Sequence, residues 1–111
     1  MFVMDFLDLE DKNDRQIIFE IFDLNDLEKS IFQALESKRL TVQEVADEVG
    51  RSRSTVQRAL KDMLEKDLLL REGKTDRTVY YVYTALPMDE LREVASEALD
   101  SWHSQVQKKL G

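Results

Sequence analysis

Hydrogen-bond donors are concentrated in one short stretch of this chain, SRSTVQRALK, which covers residues 52–61. In the major groove of DNA an arginine fork pairs with guanine, a glutamine amide pairs with adenine, and hydroxyls and lysine bind phosphates. On a helix the apolar side chains of Val56, Ala59 and Leu60 share one face, and most of the donors lie on the other. The stretch therefore predicts a helix that recognises nucleic acid through Ser52, Arg53, Ser54, Thr55, Gln57, Arg58 and Lys61.

The order of these donors along the helix predicts how deeply each one reaches. A recognition helix approaches the bases with its N-terminal end, so Arg53 and Ser54 are expected to reach deepest. Gln57 and Arg58 follow, and Lys61 lies nearer the backbone. The alternative is an amphipathic helix whose polar face is simply solvated. That alternative explains the polarity, but it does not explain why donors gather at one end of the helix and acids at the other.

The charge of the chain is distributed unevenly. The net charge is −7, yet residues 51–77 contain eight basic and five acidic residues. Residues 1–50 contain five basic and 13 acidic residues, and residues 78–111 contain three and five. A phosphate backbone responds to charge within a Debye length of about 8–10 Å, so a locally basic region counts more than the total. Charge alone also fits the alternative that these residues merely form solvated helix faces.

Composition limits the class of protein. The chain has 111 residues, no cysteine and one histidine, with three glycines and one proline, which is typical of a single folded, helix-rich domain. We expect no disulfide, no metal site, no cofactor and no enzymatic activity, because neither a glycine-rich phosphate loop nor a paired nucleophile and base is present. The apolar runs are too short for a membrane span and the start has no leader pattern, so a cytoplasmic protein is expected.

Capping signals predict the helices that position the donor stretch. Thr41 and Glu44 have the spacing of a capping box, Gly50 stands where a helix ends, and Ser52 caps the next helix. Two helices joined by a glycine turn are typical of a helix-turn-helix. Upstream, a helix is predicted over Asp26–Ser37 and a short one within NDRQIIFEIFDL, residues 13–24. For the latter, a strand through QIIFEIF is the alternative.

A β-hairpin is predicted after the donor stretch, in DLLLREGKTDRTVYYVYTA, residues 67–85. Two apolar runs flank a turn that the pattern places at residues 73–76. Three helices followed by a hairpin are the order of a winged helix-turn-helix domain. We expect wing residues to contact the minor groove or its phosphates, although hairpin tips are often charged for solubility alone; the candidates are Arg71, Lys74, Thr75 and Arg77.

A long helix is predicted from Pro87 to Leu110. Its apolar residues recur at intervals of three and four and form a stripe along the whole helix, which we interpret as a homodimer interface. The alternative is a helix that folds back over its own three-helix core and the N-terminal segment QIIFEIF, residues 16–22. The proposed interface residues are Leu91, Val94, Ala95, Ala98, Leu99, Trp102 and Val106.

The stretch from Thr41 to Gly73, followed by VYYVYTALPMDEL, resembles the winged-helix domain of archaeal TrmB-type regulators and, more distantly, MarR-type regulators, over about residues 24–91. The resemblance implies a dimeric, DNA-binding transcriptional regulator whose recognition helix is Ser52–Lys61 and whose wing is Gly73–Arg77. Asp76 and Arg77 resemble the acidic and basic wing pair of the MarR group. Arg51 replaces the apolar residue that is usual before the serine, and no counterpart of the sugar-binding effector domain is present, which weakens the expectation of a sugar effector.

The expected fold is therefore mainly α with a small β-hairpin, in one winged-helix domain over residues 1–111. It divides into an N-terminal arm and helix at 1–23, the winged helix-turn-helix core at 24–86 and a dimerisation helix at 87–111. The expected function is sequence-specific binding of double-stranded DNA by a homodimer at an inverted-repeat operator. The alternative is a winged-helix module that binds another protein of a transcription-related assembly.

Overall fold

The computed structural model describes residues 14–110, which form five helices and one hairpin. The helices are α1 (Asp14–Ile21), α2 (Asp26–Leu35), α3 (Val42–Val49), α4 (Arg53–Glu65) and α5 (Met88–Leu110). The hairpin comprises β1 (Leu69–Asp76) and β2 (Thr78–Ala85), between α4 and α5. These elements confirm the expected mainly α fold with a small hairpin. The segment around Ile17 is a helix and not the alternative strand, while Asn13, at the start of the predicted segment, and the N-terminal arm lie outside the described residues.

Both α2 and α3 begin with a capping box, and the one at α3 is that predicted from the spacing of Thr41 and Glu44. The Asn25 side chain accepts the Glu28 amide at 2.8 Å, and the Glu28 carboxylate accepts the Asn25 amide at 3.1 Å. Thr41 and Glu44 exchange the same pair of bonds at 3.2 and 2.9 Å. Each box satisfies amides that a helix start would otherwise leave without a partner. Helix α2 ends at Leu35, two residues before the predicted end at Ser37.

The turn between α3 and α4 comprises residues 50–52. Gly50 adopts the left-handed conformation, with φ 68° and ψ 36°, and its amide donates to the carbonyl of Ala46 at 2.9 Å. The amide of Arg51 donates to the same carbonyl at 3.2 Å. Ser52 then caps α4 by accepting the Thr55 amide. The chain thus ends one helix and starts the next within three residues.

Residues Leu24–Pro87 form one compact unit that contains α2, α3, α4 and the hairpin. Its core is apolar, and its most completely buried side chains are Ile31, Phe32, Leu35, Val45, Val56, Leu60, Met63 and Leu68. Leu40 joins the sheet edge through two backbone bonds to Tyr83, at 2.8 and 3.0 Å. The Thr84 hydroxyl also donates to the Leu35 carbonyl at 3.3 Å. These bonds attach the hairpin to the helical core at its base.

The hairpin is longer than the sequence pattern suggests, because the predicted turn at residues 73–76 is wrong. The strands pair as far as Asp76 and Thr78, and Arg77, with φ 63°, forms the tip between them. Gly73 lies within β1 opposite Tyr81, whose Cε1 atom is 3.5 Å from the position that a Cβ at Gly73 would occupy. The aromatic ring thus covers the missing side chain, so glycine here marks a close contact and not a turn.

Residues 14–23 and 88–110 form a second unit, in which α1 packs against α5. Ile18 and Phe19 of α1 are buried, as are Leu91 and Ala95 of α5. Beside them runs a shallow apolar groove that includes Ile21 and Leu99. Within residues 14–110, no helix has both the length and the apolar character needed to cross a bilayer.

Gly50→Ala is expected to lower the free energy of unfolding by about 1–2 kcal/mol, because a Cβ disfavours the left-handed backbone conformation at this position. Gly73→Ala is the matched control. There the new methyl group would make only an ordinary van der Waals contact with Tyr81, and glycine weakens a strand interior. Urea denaturation of both variants measures the difference. Equal losses of stability would contradict the assignment of the turn to Gly50.

Candidate nucleic-acid interface

Helix α4 separates its apolar and donor residues onto opposite faces. Val56, Leu60 and Met63 are at most 1% exposed and anchor the helix in the core. On the opposite side the structure places five donor side chains in contact with solvent, namely Arg53, Ser54, Gln57, Arg58 and Lys61. The core contacts on one side therefore determine which side chains a bound macromolecule could reach.

The N-terminal end of α4 differs electrostatically from three other helices. Helices α2, α3 and α5 carry acidic residues in their first turns, whereas α4 has none there. A helix N-terminus bears a partial positive charge that nearby carboxylates would offset. In α4 this partial charge adds to the charges of Arg53 and Arg58 and so favours an anionic partner.

The cations on the donor face of α4 are not neutralised by any residue that the structure describes. Among residues 14–110, no hydrogen bond or ion pair engages the side chains of Arg53, Arg58 or Lys61. Two acids of neighbouring α3 have other partners. Glu48 pairs with Lys38, and Asp47 accepts a hydrogen bond from Gln43 at 3.0 Å. The donors of α4 therefore remain available for an external acceptor.

Two of the predicted contact residues also have a structural role. The Ser52 hydroxyl accepts the Thr55 amide at 3.3 Å and donates to the Thr55 hydroxyl at 2.8 Å. It also lies 3.4 Å from the hydroxyl of Ser54. Thr55 is half-buried, unlike the donors further along the helix. Ser52 and Thr55 therefore hold the start of α4, which positions Arg53 and Ser54.

Two cations of the wing, the hairpin of β1 and β2, are held by neighbouring side chains. Lys74 donates to Glu72 at 2.8 Å, and Arg39 contacts the other oxygen of the same carboxylate at 3.2 Å. The hydrogen bond from Lys74, followed by the positive charges of Lys74 and Arg39, lowers the pKa of Glu72. The guanidinium carbon of Arg71 lies 4.3 Å from the centroid of the Tyr81 ring. Thr75 and the tip residue Arg77 are exposed.

Sequence reasoning missed two residues of this surface. Arg51 is exposed in the turn before α4, where its charge adds to the basic end of the helix. Glu72 restrains Lys74 and Arg39. Residues two apart on a strand share a face, so the spacing of Glu72 and Lys74 would have indicated their pairing. This pairing was not predicted from the sequence, because a turn at residues 73–76 puts Lys74 outside the strand.

The stripe of α5 varies in exposure along its length. Leu91 and Ala95 are buried, and Val94, Ala98, Leu99 and Val106 are half-buried. Trp102 is 49% exposed. It borders an open groove together with Ile21 of α1 and with Ala98 and Leu99 of its own helix.

Comparison with protein families gives a match to the family described as "Sugar-specific transcriptional regulator TrmB", over residues 19–89. Two uncharacterized proteins of Methanocaldococcus jannaschii are also similar. MJ1082 is 36% identical over 80 residues, which are 71% of this chain and 67% of that protein. MJ1503 is 29% identical over 82 residues, which are 72% of this chain but 62% of that protein.

Solved structures of low sequence identity share the fold. A possible transcriptional regulator from Methanosarcina mazei Go1 superimposes with a TM-score of 0.69 at 18% identity, covering 86% of this chain and 83% of that one. The Staphylococcus aureus protein in the MepR–DNA complex superimposes with a TM-score of 0.55 at 20% identity, covering 94% of this chain and 87% of that one.

Lys74→Ala is expected to raise the pKa of Glu72, and Arg39→Ala is expected to raise it less, because Lys74 supplies both the hydrogen bond and the larger charge effect. Since folding lowers this pKa, the contribution to stability is present above the ordinary pKa of a glutamate. It is lost as the pH falls through the lowered value. NMR titration of the Glu72 carboxyl group in the three proteins measures the order. A larger rise in Arg39→Ala would contradict it.

Proposed function

Since this chain belongs to the TrmB family of transcriptional regulators, we propose that it binds a specific double-stranded DNA sequence as a homodimer. The observation that carries the proposal is the donor face of α4. Arg53, Arg58 and Lys61 are exposed without a partner among the described residues, at a helix whose first turn holds no acid. DNA offers the complementary groups, because its base edges and phosphates provide hydrogen-bond acceptors and negative charge.

In the proposed complex α4 lies in the major groove with its N-terminal end towards the bases. The groove is about 12 Å wide and admits one helix. Arg53 and Ser54 reach deepest, Gln57 and Arg58 contact base edges in the next turn, and Lys61 meets the backbone. An arginine that forks onto guanine is the commonest specific contact in such complexes. This order follows from the position of each donor along an exposed face.

The wing in this proposal contacts the minor groove or the adjacent phosphates. Arg77 stands at the tip in contact with solvent, and Thr75 lies beside it. Lys74 has to leave Glu72 to bind a phosphate. Exposed ion pairs of this kind are worth about 0–1 kcal/mol, so the exchange costs little. Arg71 keeps its contact with Tyr81.

The homodimer is proposed to form along α5. The part of the stripe that remains accessible includes Ala98, Leu99, Trp102 and Val106, and the groove beside Trp102 offers a recess for a partner side chain. Leu91 and Ala95 are buried within the chain, so their proposed role is to support the interface from beneath. Two-fold symmetry would then require an inverted-repeat operator, with half-sites about one helical turn of DNA apart or a multiple of it.

The net charge of −7 favours a second candidate, a winged helix that binds another protein. Selection from random duplexes with the purified protein separates the two. An enriched inverted repeat is expected for the regulator. A protein that enriches no sequence even at low salt would favour the second candidate.

Arg58→Ala is expected to cost about 1–3 kcal/mol at the selected site and to relax preference at one or two base positions, because it removes a fork from a base edge. Lys74→Ala should weaken all duplexes similarly and reduce the log–log salt slope by about 0.9, the value for one phosphate contact. Fluorescence anisotropy with matched and mismatched duplexes measures both. Lys108→Ala, at the far end of α5, is the charge control. If Arg58→Ala and Lys74→Ala changed the sequence preference of binding equally, the separate roles of helix and wing would be contradicted.

Trp102→Glu is expected to convert the dimer to a monomer, because it places a charge within the proposed apolar interface. Binding to the inverted repeat should weaken, since two half-sites would no longer be engaged together. His103→Glu, which adds the same charge at the adjacent exposed position, is the control. Sedimentation velocity at micromolar concentration measures assembly. A monomeric wild-type protein would overturn the proposed interface.

A further inference from the structure

One face of the wing holds a stacked arrangement of Arg71, Tyr81 and Gly73. Gly73 pairs with Tyr81 across the hairpin, and Arg71 pairs with Tyr83 two residues nearer the base. The Arg71 guanidinium nevertheless lies over the Tyr81 ring, with its central carbon 4.3 Å from the ring centroid. The arginine therefore crosses the hairpin diagonally, towards the tip.

Gly73 lies directly beneath the Tyr81 ring. Two ring atoms of Tyr81 lie 3.5 and 3.8 Å from the position of an ideal Cβ at Gly73. A longer side chain at that position would occupy the space above the strand that the ring now covers. Tyr81 is 42% exposed, so the ring is held at the surface and not in the core. Its position brings the Arg71 charge two residues, or about 7 Å along the strand, nearer the tip.

The two faces of the wing restrain their cations by different means. On one face the Glu72 carboxylate takes a hydrogen bond from Lys74 and offsets its charge. On the other face the partner of Arg71 is an aromatic ring, which attracts the cation electrostatically but carries no net charge. A guanidinium has five N–H donors, and stacking on a ring leaves its edge free to donate to phosphate oxygens. Arg71 is thus restrained and still fully charged.

We propose that Tyr81 is a positioning residue for DNA binding, which holds Arg71 extended along the wing so that its guanidinium meets a backbone phosphate. The proposal rests on the proposed function, because it concerns how the same surface binds DNA. Holding a long, flexible side chain in place before binding removes part of the entropy that binding would otherwise cost.

A double-mutant cycle tests this role with Arg71→Ala, Tyr81→Leu and the double variant, on the selected duplex. Tyr81→Leu is expected to weaken binding about two- to fivefold in the wild-type background, the range of an exposed cation–π contact. In the Arg71→Ala background it should have no effect. Tyr81→Phe keeps the ring and should retain wild-type affinity. Tyr80→Leu removes the neighbouring tyrosine on the opposite face and is the matched control.

The salt dependence of binding tests separately whether Arg71 itself contacts a phosphate. Arg71→Ala should reduce the log–log salt slope by about 0.9, as expected for one lost phosphate contact. Tyr81→Leu should leave the slope closer to that of the wild type, because the arginine is still present. Urea denaturation checks that each variant folds. If Tyr81→Leu does not fold, Tyr81→Thr takes its place in the cycle, because threonine favours the strand conformation.

The outcomes separate this proposal from the proposed function. Suppose that the wild-type protein binds its duplex. Additive losses of binding free energy in the cycle, or equal losses from Tyr80→Leu and Tyr81→Leu, would then overturn the role of Tyr81 and leave the proposed function standing. A wild-type protein that binds no duplex would overturn the proposed function and this role with it.

Discussion

The orientation of α4 depends on the turn that precedes it. Gly50 in the left-handed conformation lets two successive amides, its own and that of Arg51, close onto the carbonyl of Ala46. Val45 before the turn and Val56 after it are both fully buried. The turn and the core thus restrict α4 to one orientation about its own axis, the orientation in which its apolar side chains are buried. The donor face is a consequence of that constraint, since Arg53, Ser54, Gln57 and Arg58 are then turned towards solvent.

An acidic protein can present a basic surface if its acids are placed or engaged elsewhere. In this chain the first turns of α2, α3 and α5 carry carboxylates, where they complement the helix dipoles. Glu28 and Glu44 accept backbone amides, and Glu48 pairs with Lys38. The first turn of α4 lacks such an acid. The electrostatic potential near α4 therefore depends on which helices carry an acidic residue in their first turn. The net charge of the whole chain is a poor guide to this local potential.

The wing shows how a hairpin can keep several cations in a narrow space. Side chains alternate between the two faces of a strand, so Arg71 and Lys74 lie on opposite faces and meet different partners. The carboxylate of Glu72 offsets part of the charge of Lys74, while the ring of Tyr81 leaves that of Arg71 intact. At the tip Arg77 occupies a left-handed conformation that usually favours glycine or asparagine. The paired strands on either side hold it there.

Local signals were sufficient for most of the fold. Capping boxes at Asn25 and Thr41, the glycine at the end of α3 and the apolar spacing of α4 are interactions among residues close in sequence, so the sequence alone determined these helices and the outward donor set. The position of the hairpin turn was decided by the pairing of the two strands, which places Gly73 within β1 opposite Tyr81, eight residues away. Contacts between elements also decided the partners of Arg39 and Arg71 and the burial of Leu91 and Ala95. These features depend on which side chains meet across elements, and sequence periodicity carries no information on such contacts.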